Sequence, residues 1–372
     1  MRKKQAGSLP APSYDPEQPW NNLPTLPPGA ELESGVVLKA CIVARSELAR
    51  VNALAETLPN QDILIQTIPL QEARSSSEIE NIVTTSDALY QALASSGPGT
   101  DASTKEVLRY REALWEGVNS LARQSRLNVR LFEQICSRIR DTHVRVRRDD
   151  MVRIGNIAAR RITYTPPVGK HLGRLLSNLE RFIATDDDGL DPLVKMAVMH
   201  YQFEAIHPFS DGNGRTGRVL NMLYLMYRRL LSAPVLYLSR FIIEHRDDYY
   251  RYLRGVTEQE QWEPWILYIL RAVEHTSRDT VTRIEAMRTL LDDLSRTARA
   301  GRAKAVEREG FLGLLFKWPY CKIGIVEREL ACSRITATRY LNEMVDLGLL
   351  ERIKRGREAY YINTGLMNLL KE

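Results

Sequence analysis

Cysteine is scarce in this chain of 372 residues: Cys41, Cys136, Cys321 and Cys332 stand far apart, and no CxxC pair or Cys/His cluster has the spacing of zinc ligands. A disulfide-stapled scaffold and a zinc module are thereby excluded, and the four thiols are expected to be reduced and structural. Long apolar runs are missing as well. None approaches the roughly 18 residues that cross a bilayer, and the opening Met-Arg-Lys-Lys leads into a polar, proline-rich stretch rather than the apolar core of a signal peptide. The expectation is a cytoplasmic protein with no membrane partner. Strand signals are almost absent from the first 300 residues. Only the β-branched stretch at 154–165, stopped by Pro166 and Pro167, reads as a short hairpin or extended loop. Internal repeats are not evident.

What remains is a mainly α chain. With 44% hydrophobic and 26% charged residues, its length suits two or three domains with substantial cores. A net charge of +6 is only a mild bias toward nucleic acid or nucleotides. Prolines from Pro10 to Pro28 deny residues 1–34 their helical hydrogen bonds and predict an extended arm, which Trp20 and Leu26 can anchor. From about 35 to 150 apolar residues recur at helical spacing, as in Val37, Leu38, Cys41, Ile42 and Leu48, interrupted by a Ser-Gly-Pro-Gly loop at 96–99. Asp191 followed by Pro192 marks a helix start, a good N-cap and then a residue whose missing N–H costs nothing there. That helix runs to Ile206, and a second, apolar from Val219 to Leu231, follows the loop at 207–215. Both are apolar on most sides, which places them in the middle of a bundle. Further helices are expected over 241–256, 262–276 and 279–298, with the basic 297–308 as a connector.

Between the two apolar helices, residues 207–218 read HPFSDGNGRTGR. A glycine-rich loop that opens a buried helix suits an anion, because the first turn has unpaired N–H groups and the positive end of the helix dipole. Gly212 and Gly214 let the backbone approach a phosphate, and Asn213 adds side-chain donors. Arg215 and Arg218, three apart on one face, are placed to hold a polyphosphate. Asp211 suits a Mg²⁺ that bridges phosphate oxygens, since this ion takes one or two carboxylates plus phosphates. His207, closing the preceding helix, is a base at neutral pH. Singly, a histidine at a helix end is usually a cap and Gly-Asn-Gly usually a turn. Together they imply chemistry: His207 deprotonates a nucleophile that attacks phosphorus, while Mg²⁺, Arg215 and Arg218 stabilise the leaving phosphates.

The run matches HxFx(D/E)GNGRxxR at every specified position, and by it the chain resembles the Fic family. The likeness extends over roughly residues 20–280, including the Leu-Pro-x-Leu-Pro-Pro beginning at Leu23, Tyr249-Tyr250, and the region of Trp262 and Trp265. What the resemblance implies is the helical bundle and reaction of a protein adenylyltransferase, which moves AMP from ATP onto Ser, Thr or Tyr hydroxyls of target proteins or of itself. It implies His207 as catalytic base, Asp211 as Mg²⁺ ligand, and an ATP site of His207, Gly212, Asn213, Gly214, Arg215, Thr216, Gly217, Arg218 and Tyr249. The stretch at about 155–165 would be the flap that aligns the target by main-chain pairing. The Gly-Asn-Gly loop favours AMP transfer over transfer of a terminal phosphate.

Residues 75–81 read SSSEIEN. Ser77 with Glu80, and Ser75 with Glu78, have capping-box spacing, which reads as a helix start. Ser76, Glu80 and Asn81 also fit the inhibitory pattern (S/T)xxxE(G/N) of one Fic subclass. There the resemblance implies that Glu80 reaches into the ATP site, pairs with Arg218 and keeps the γ-phosphate from its productive place, so the resting protein has little activity. Removal of AMP with help from the same glutamate stays open, and the N-terminal segments hint at protomer contacts in a homodimer.

Beyond residue 300 the pattern changes. Residues 311–316 open an apolar helix. Residues 325–330, a Cys332-Ser333 turn and 335–347 outline a helix-turn-helix that Gly348 ends. LLERIKRGREAYYI then has two β-prone arms around Lys354-Arg355-Gly356-Arg357, as in a wing. This segment resembles a winged helix-turn-helix. Over 301–372, 13 Lys and Arg stand against 9 Asp and Glu, and Arg334, Arg339, Arg355 and Arg357 on the recognition helix and wing are candidate DNA contacts. A protein-binding or dimerisation module is the alternative. The expected division is an arm over 1–34, a helical region with the inhibitory motif over 35–110, a Fic catalytic domain over 111–298 and a winged helix over 299–372. The competing account of the whole is a nucleotide-sensing, DNA-binding transcription regulator without turnover.

Overall fold

The computed structural model describes residues 14–57, 62–95, 100–148, 152–156, 161–355 and 358–371. Five helices come first: α1 (Gly35–Thr57), α2 (Asp62–Ile79), α3 (Ser86–Ala94), α4 (Ala102–Gln124) and α5 (Val129–Arg140). An antiparallel hairpin follows, β1 (Ile154–Asn156) with β2 (Arg161–Tyr164). Then come α6 (Lys170–Ala184), α7 (Pro192–Ile206), α8 (Asn213–Tyr227), α9 (Leu238–Glu244), α10 (Arg246–Gln259) and α11 (Trp262–Ala300). The C-terminal part comprises α12 (Phe311–Lys317), β3 (Tyr320–Cys321), α13 (Ile323–Leu330), α14 (Arg334–Asp346), β4 (Glu351–Arg355), β5 (Glu358–Ile362) and α15 (Thr364–Lys371).

The bundle is built around α7 and α8. Asp191 caps α7, its Oδ1 accepting from Leu193 N at 2.8 Å ahead of a first turn that Pro192 can enter without losing a hydrogen bond. Every residue of α7 is buried except Pro192 and Glu204. α6, α8 and α11 all pack against it, and α8 in turn touches α2, α4 and α5. Trp265 of α11 ties the layers together by donating to Ala197 O at 2.8 Å.

Several boundaries differ from the sequence reading. The stretches 262–276 and 279–298 are one helix of 39 residues, because Ser277 and Arg278 supply no breaker between them. The helix expected over 241–256 is instead two, α9 and α10, meeting at His245. The helix after the loop stops at Tyr227, and the chain reverses through Arg229 at φ 57°. The run SSSEIEN closes a helix rather than starting one. Its serines lie in the last turns of α2, and Asn81 at φ 63° turns the chain away, which leaves Glu80 just past the helix end. The four cysteines are free thiols.

In the C-terminal part, α13 and α14 meet at a turn where Ser333 caps α14 by accepting from Thr336 N at 3.2 Å. The hairpin β4–β5 follows, with β3 added on the far side of β5. This unit is joined to the rest. α12 packs on α2, Gln71 of α2 donates to Leu370 O at 2.9 Å, and Tyr320 donates to Asp87 of α3 at 2.6 Å. Among the described residues no helix is long and apolar enough to cross a membrane.

Candidate active site

His207 ends α7 in a left-handed conformation, φ 49°. Arg147 holds that turn from outside the motif. Its Nε donates to His207 O at 2.9 Å, its Nη2 to Ile206 O at 3.3 Å and Pro167 O at 2.5 Å, and its main-chain N to Pro208 O at 2.9 Å. The imidazole Nδ1 lies 3.3 Å from Glu204 O. A carbonyl only accepts, so Nδ1 carries the proton and Nε2 keeps its lone pair, as a base requires. Burial pushes the imidazole down to about 4, which keeps it neutral at pH 7.

The loop that follows is shaped by its own side chains. Asn213 Oδ1 accepts from Phe209 N at 2.9 Å and its Nδ2 donates to Phe209 O at 2.8 Å, so the amide expected to serve a phosphate is instead turned to the chain. Thr216 Oγ1 donates to Gly212 O at 2.8 Å. Both side chains are buried. What the loop offers an anion is the first turn of α8, entered through Gly212 at φ 86°.

The two arginines, expected to act together, diverge. Three residues rotate a helix by about 300°, and on a helix packed on several sides that is enough to give each its own neighbour. Arg215 turns to Glu106 of α4, with Asp211 3.8 Å away. Asp211 itself pairs with Arg140 of α5 at 2.6 Å and accepts from Gly212 N at 2.5 Å. Arg218 turns to α2, where its Nε donates to Ser76 Oγ at 2.8 Å and its Nη2 to Ser76 O at 2.9 Å and Glu80 Oε1 at 2.8 Å. Burial opposes ionisation of Glu80, but the charge and hydrogen bond of Arg218, with Arg215 and Arg246, outweigh it and hold the carboxyl below its ordinary value. The Glu80 carboxylate also lies over the first turn of α8, since a Cβ on Gly214 would come within 2.5 Å of Oε1. Asn81 accepts from Arg246 at 3.4 Å.

Beside this cluster a cavity of about 750 Å³ opens, with Glu80, Glu204, His207, Gly214, Arg218 and Tyr249 among its walls. The hairpin β1–β2 forms the opposite side, together with Tyr14, whose hydroxyl donates to Thr163 O at 2.7 Å. Tyr249 is buried and its hydroxyl lies 2.9 Å from His200 Nε2. Residues 157–160, at the tip of the expected flap, lie outside the described residues. No group of three or more His, Cys, Asp or Glu is gathered as a metal cage among the described residues. The single exposed carboxylate of Asp211 therefore fits a Mg²⁺ only if nucleotide phosphates complete its shell, and only if Arg140 yields. A second cleft of about 520 Å³ lies away from the loop, at the end of α5, between the ion pairs Arg138–Glu116 and Arg145–Glu133.

Three family models match the chain in succession: "Fic/DOC family N-terminal" over residues 38–119, "Fic/DOC family" over 122–225, and "Protein adenylyltransferase SoFic-like, C-terminal domain" over 290–366. The chain belongs to the Fic/DOC family. A curated relative, the protein adenylyltransferase Fic of Nematostella vectensis, is 34% identical over 114 residues, which is 30% of this chain and 25% of the relative. The protein adenylyltransferase fic-1 of Caenorhabditis elegans is 33% identical over 105 residues, 28% of this chain and 19% of the relative. The match thus spans about a quarter or less of these relatives' length. Among solved structures, a Fic family protein from Desulfovibrio desulfuricans shares the fold at a TM-score of 0.57 and 21% identity, covering 92% of this chain and 98% of that one. Fic-1 from C. elegans does so at 0.53 and 20%, covering 68% and 73%.

In this Fic chain, sequence reasoning missed Arg147 and Glu204, and also Glu72. Arg147 sits in a basic run that reads as a solvated face, and Glu204 lies in a helix whose apolar neighbours drew the attention. Glu72 is buried on α2 and accepts from Tyr110 of α4 at 3.2 Å and from Ser239 of α9 through both N (3.0 Å) and Oγ (2.5 Å), so it locks α2 in place. Of the candidate DNA contacts, Arg334 and Arg339 are exposed on α14, within 3.7 Å of Glu327 and 3.8 Å of Glu343 respectively. Arg355 is turned to Gln91 of α3. Arg357, like the Ser-Gly-Pro-Gly loop at 96–99, lies outside the described residues.

Proposed function

We propose that this chain is a protein adenylyltransferase held at rest by its own Glu80. The observation that carries the reading is the free Nε2 of His207 at the wall of a cavity that also opens on the first turn of α8. In the reaction, Nε2 takes the proton of a target Ser, Thr or Tyr hydroxyl, and the oxygen attacks the α-phosphorus of ATP. The new P–O bond forms as the bond to the β-phosphate oxygen breaks, and pyrophosphate leaves. Charge on the departing phosphates is met by the N–H groups of α8 and by Arg218. Asp211 would hold Mg²⁺, which when bound neutralises phosphate charge. The β1–β2 hairpin, as a flap, gives the target segment an edge to pair with.

Glu80 opposes this from two directions, by filling the space over Gly214 and by occupying Arg218. Ser76 steadies Arg218 from the same helix. The C-terminal helix-turn-helix and hairpin are best read as a winged helix, with Arg334, Arg339 and the exposed Ile335 on its open face for a DNA or protein partner. Apolar Val36, Leu38, Ile42 and Val43 on the outside of α1 favour contact with a second protomer. No observation favours nucleotide sensing without turnover over the enzyme.

The test uses ATP labelled at either end and the Glu80→Gly protein. Label from the α-phosphate is expected on protein, with none from the γ-phosphate, and His207→Ala in that background abolishes it. Labelling from the γ-phosphate alone would overturn the reading.

A further inference from the structure

Glu204 takes part in none of the steps above, yet it is the one charged side chain that α7 brings to the cavity wall. It lies one turn before His207. Its carboxyl packs on Gly217 of α8, where any Cβ would collide with Oε1. That oxygen is buried and finds no hydrogen-bond partner among the described residues. Arg218 is the nearest cation, but its Nε and Nη2 are turned to Ser76 and Glu80 and none of its hydrogen bonds goes to Glu204. A buried, ionised carboxylate with an unfilled acceptor is expensive, so the group keeps its proton until something else satisfies it. The geometry points to Glu204 as a binding residue for the terminal phosphate of the triphosphate, to which its protonated carboxyl donates a hydrogen bond once Glu80 has left Arg218. This rests on the proposed nucleotide site.

The chemistry selects that phosphate. Arg218, when freed by Glu80, is the cation a terminal phosphate meets, and Glu204 stands beside it. A neutral acid adds a donor there, whereas an ionised one adds like charge against the phosphate. A diphosphate lacks the group that reaches this point. Burial pushes the Glu204 carboxyl up to about 7, with Arg218 opposing and Glu80 assisting. The groups facing it do not change charge between pH 6 and 8. His200 and His207 are pushed by burial down to about 3 and about 4, the hydroxyl of Tyr249 is raised well above its ordinary value, Glu80 is lowered, and Arg218 is raised. Protonation of Glu204 is thus the local variable in this window.

The experiment is calorimetric binding of Mg²⁺-ATP and Mg²⁺-ADP to full-length Glu80→Gly and Glu80→Gly/Glu204→Gln proteins at pH 6 and pH 8. ATP binding to the first protein is expected to weaken about tenfold from pH 6 to pH 8, as one acid near 7 loses its proton, while ADP binding stays level. With Glu204→Gln, whose amide donates at both pH values, ATP affinity no longer falls. The inference is overturned if ATP and ADP respond alike to pH in the Glu80→Gly protein, a comparison that needs no variant of Glu204. It is also overturned if the fall persists in the glutamine variant. If neither nucleotide binds, the nucleotide site itself is refuted, a result distinct from the other two.

Discussion

Replacing Glu80 with glycine is the perturbation with the largest expected gain, and its size follows from the geometry. The variant removes a 2.8 Å charge-assisted hydrogen bond to a buried Arg218 and clears the space over Gly214. Such a bond contributes about 1.5–3 kcal/mol when well shielded. The Glu80 side chain is 36% exposed, so screening places it near the lower end, at about 1.5–2 kcal/mol. ATP no longer has to displace that contact, and with tenfold in affinity per 1.4 kcal/mol, binding tightens roughly 10- to 30-fold. Labelling of protein from α-labelled ATP rises with it. Stability moves the other way but only slightly, because Arg218 keeps both hydrogen bonds to Ser76. A loss of about 1.5–2 kcal/mol lowers Tm by only a few degrees in a chain of this size. The assay pairs ATP calorimetry and labelling with a thermal melt. A Glu80→Gly protein that melts normally, yet binds and transfers no better than the parent, would refute the reasoning.

Two further outcomes follow from groups outside the motif. Arg147→Met removes the side-chain hydrogen bonds that hold the 206–208 turn, so kcat in the Glu80→Gly background is expected to fall about 10- to 100-fold while ATP affinity changes little; an unchanged kcat would show that the turn holds without it. His200, buried against Tyr249 and Trp265, is pushed by burial down to about 3. Its folded pKa lies below the unfolded value near 6.5, so the unfolded chain takes the proton first and the stability His200 contributes is lost as pH falls through that value. Urea midpoints at pH 7 and pH 4.5 measure this, and the parent is expected to lose about 2–3 kcal/mol more than His200→Asn over that interval. Equal losses would mean the imidazole is not held neutral.

The parts of the fold that periodicity and capping govern were legible. Asp191-Pro192, the apolar α7, the two strands β4 and β5 and the Cys332-Ser333 turn all appear where local chemistry puts them. The misplaced boundaries share a cause. Whether 277–278 breaks a helix, or whether SSSEIEN begins or ends one, is decided by packing that local spacing does not encode. Serines at capping distance from Glu80 and Glu78 are equally at home in the last turns of α2 once Ser76 has Arg218 to bind. The site divides in the same way. Asp211 and the arginines were chosen for the charges they carry, yet their partners Arg140, Glu106 and Ser76 come from three other helices, and those partners decide which way each side chain points.

The same division holds for the contact of Glu80 with Arg218. α2 is held at three successive points that face four different elements: Gln71 to α15, Glu72 to α4 and α9, and Ser76 to Arg218 of α8. Glu80 lies past all three, on the turn closed by Asn81. Its removal therefore frees the space over Gly214 and part of Arg218 without unseating the helix. Substitution at Glu72 strips the carboxylate that accepts from Ser239 N and Oγ, and so loosens α2 as a whole. A rise in transfer from Glu80→Gly thus reports a local release of the phosphate site. The same rise from a Glu72 variant, accompanied by a lowered melt, would report displacement of α2 as a whole, and comparing the two separates the carboxylate's effect from that of its scaffold.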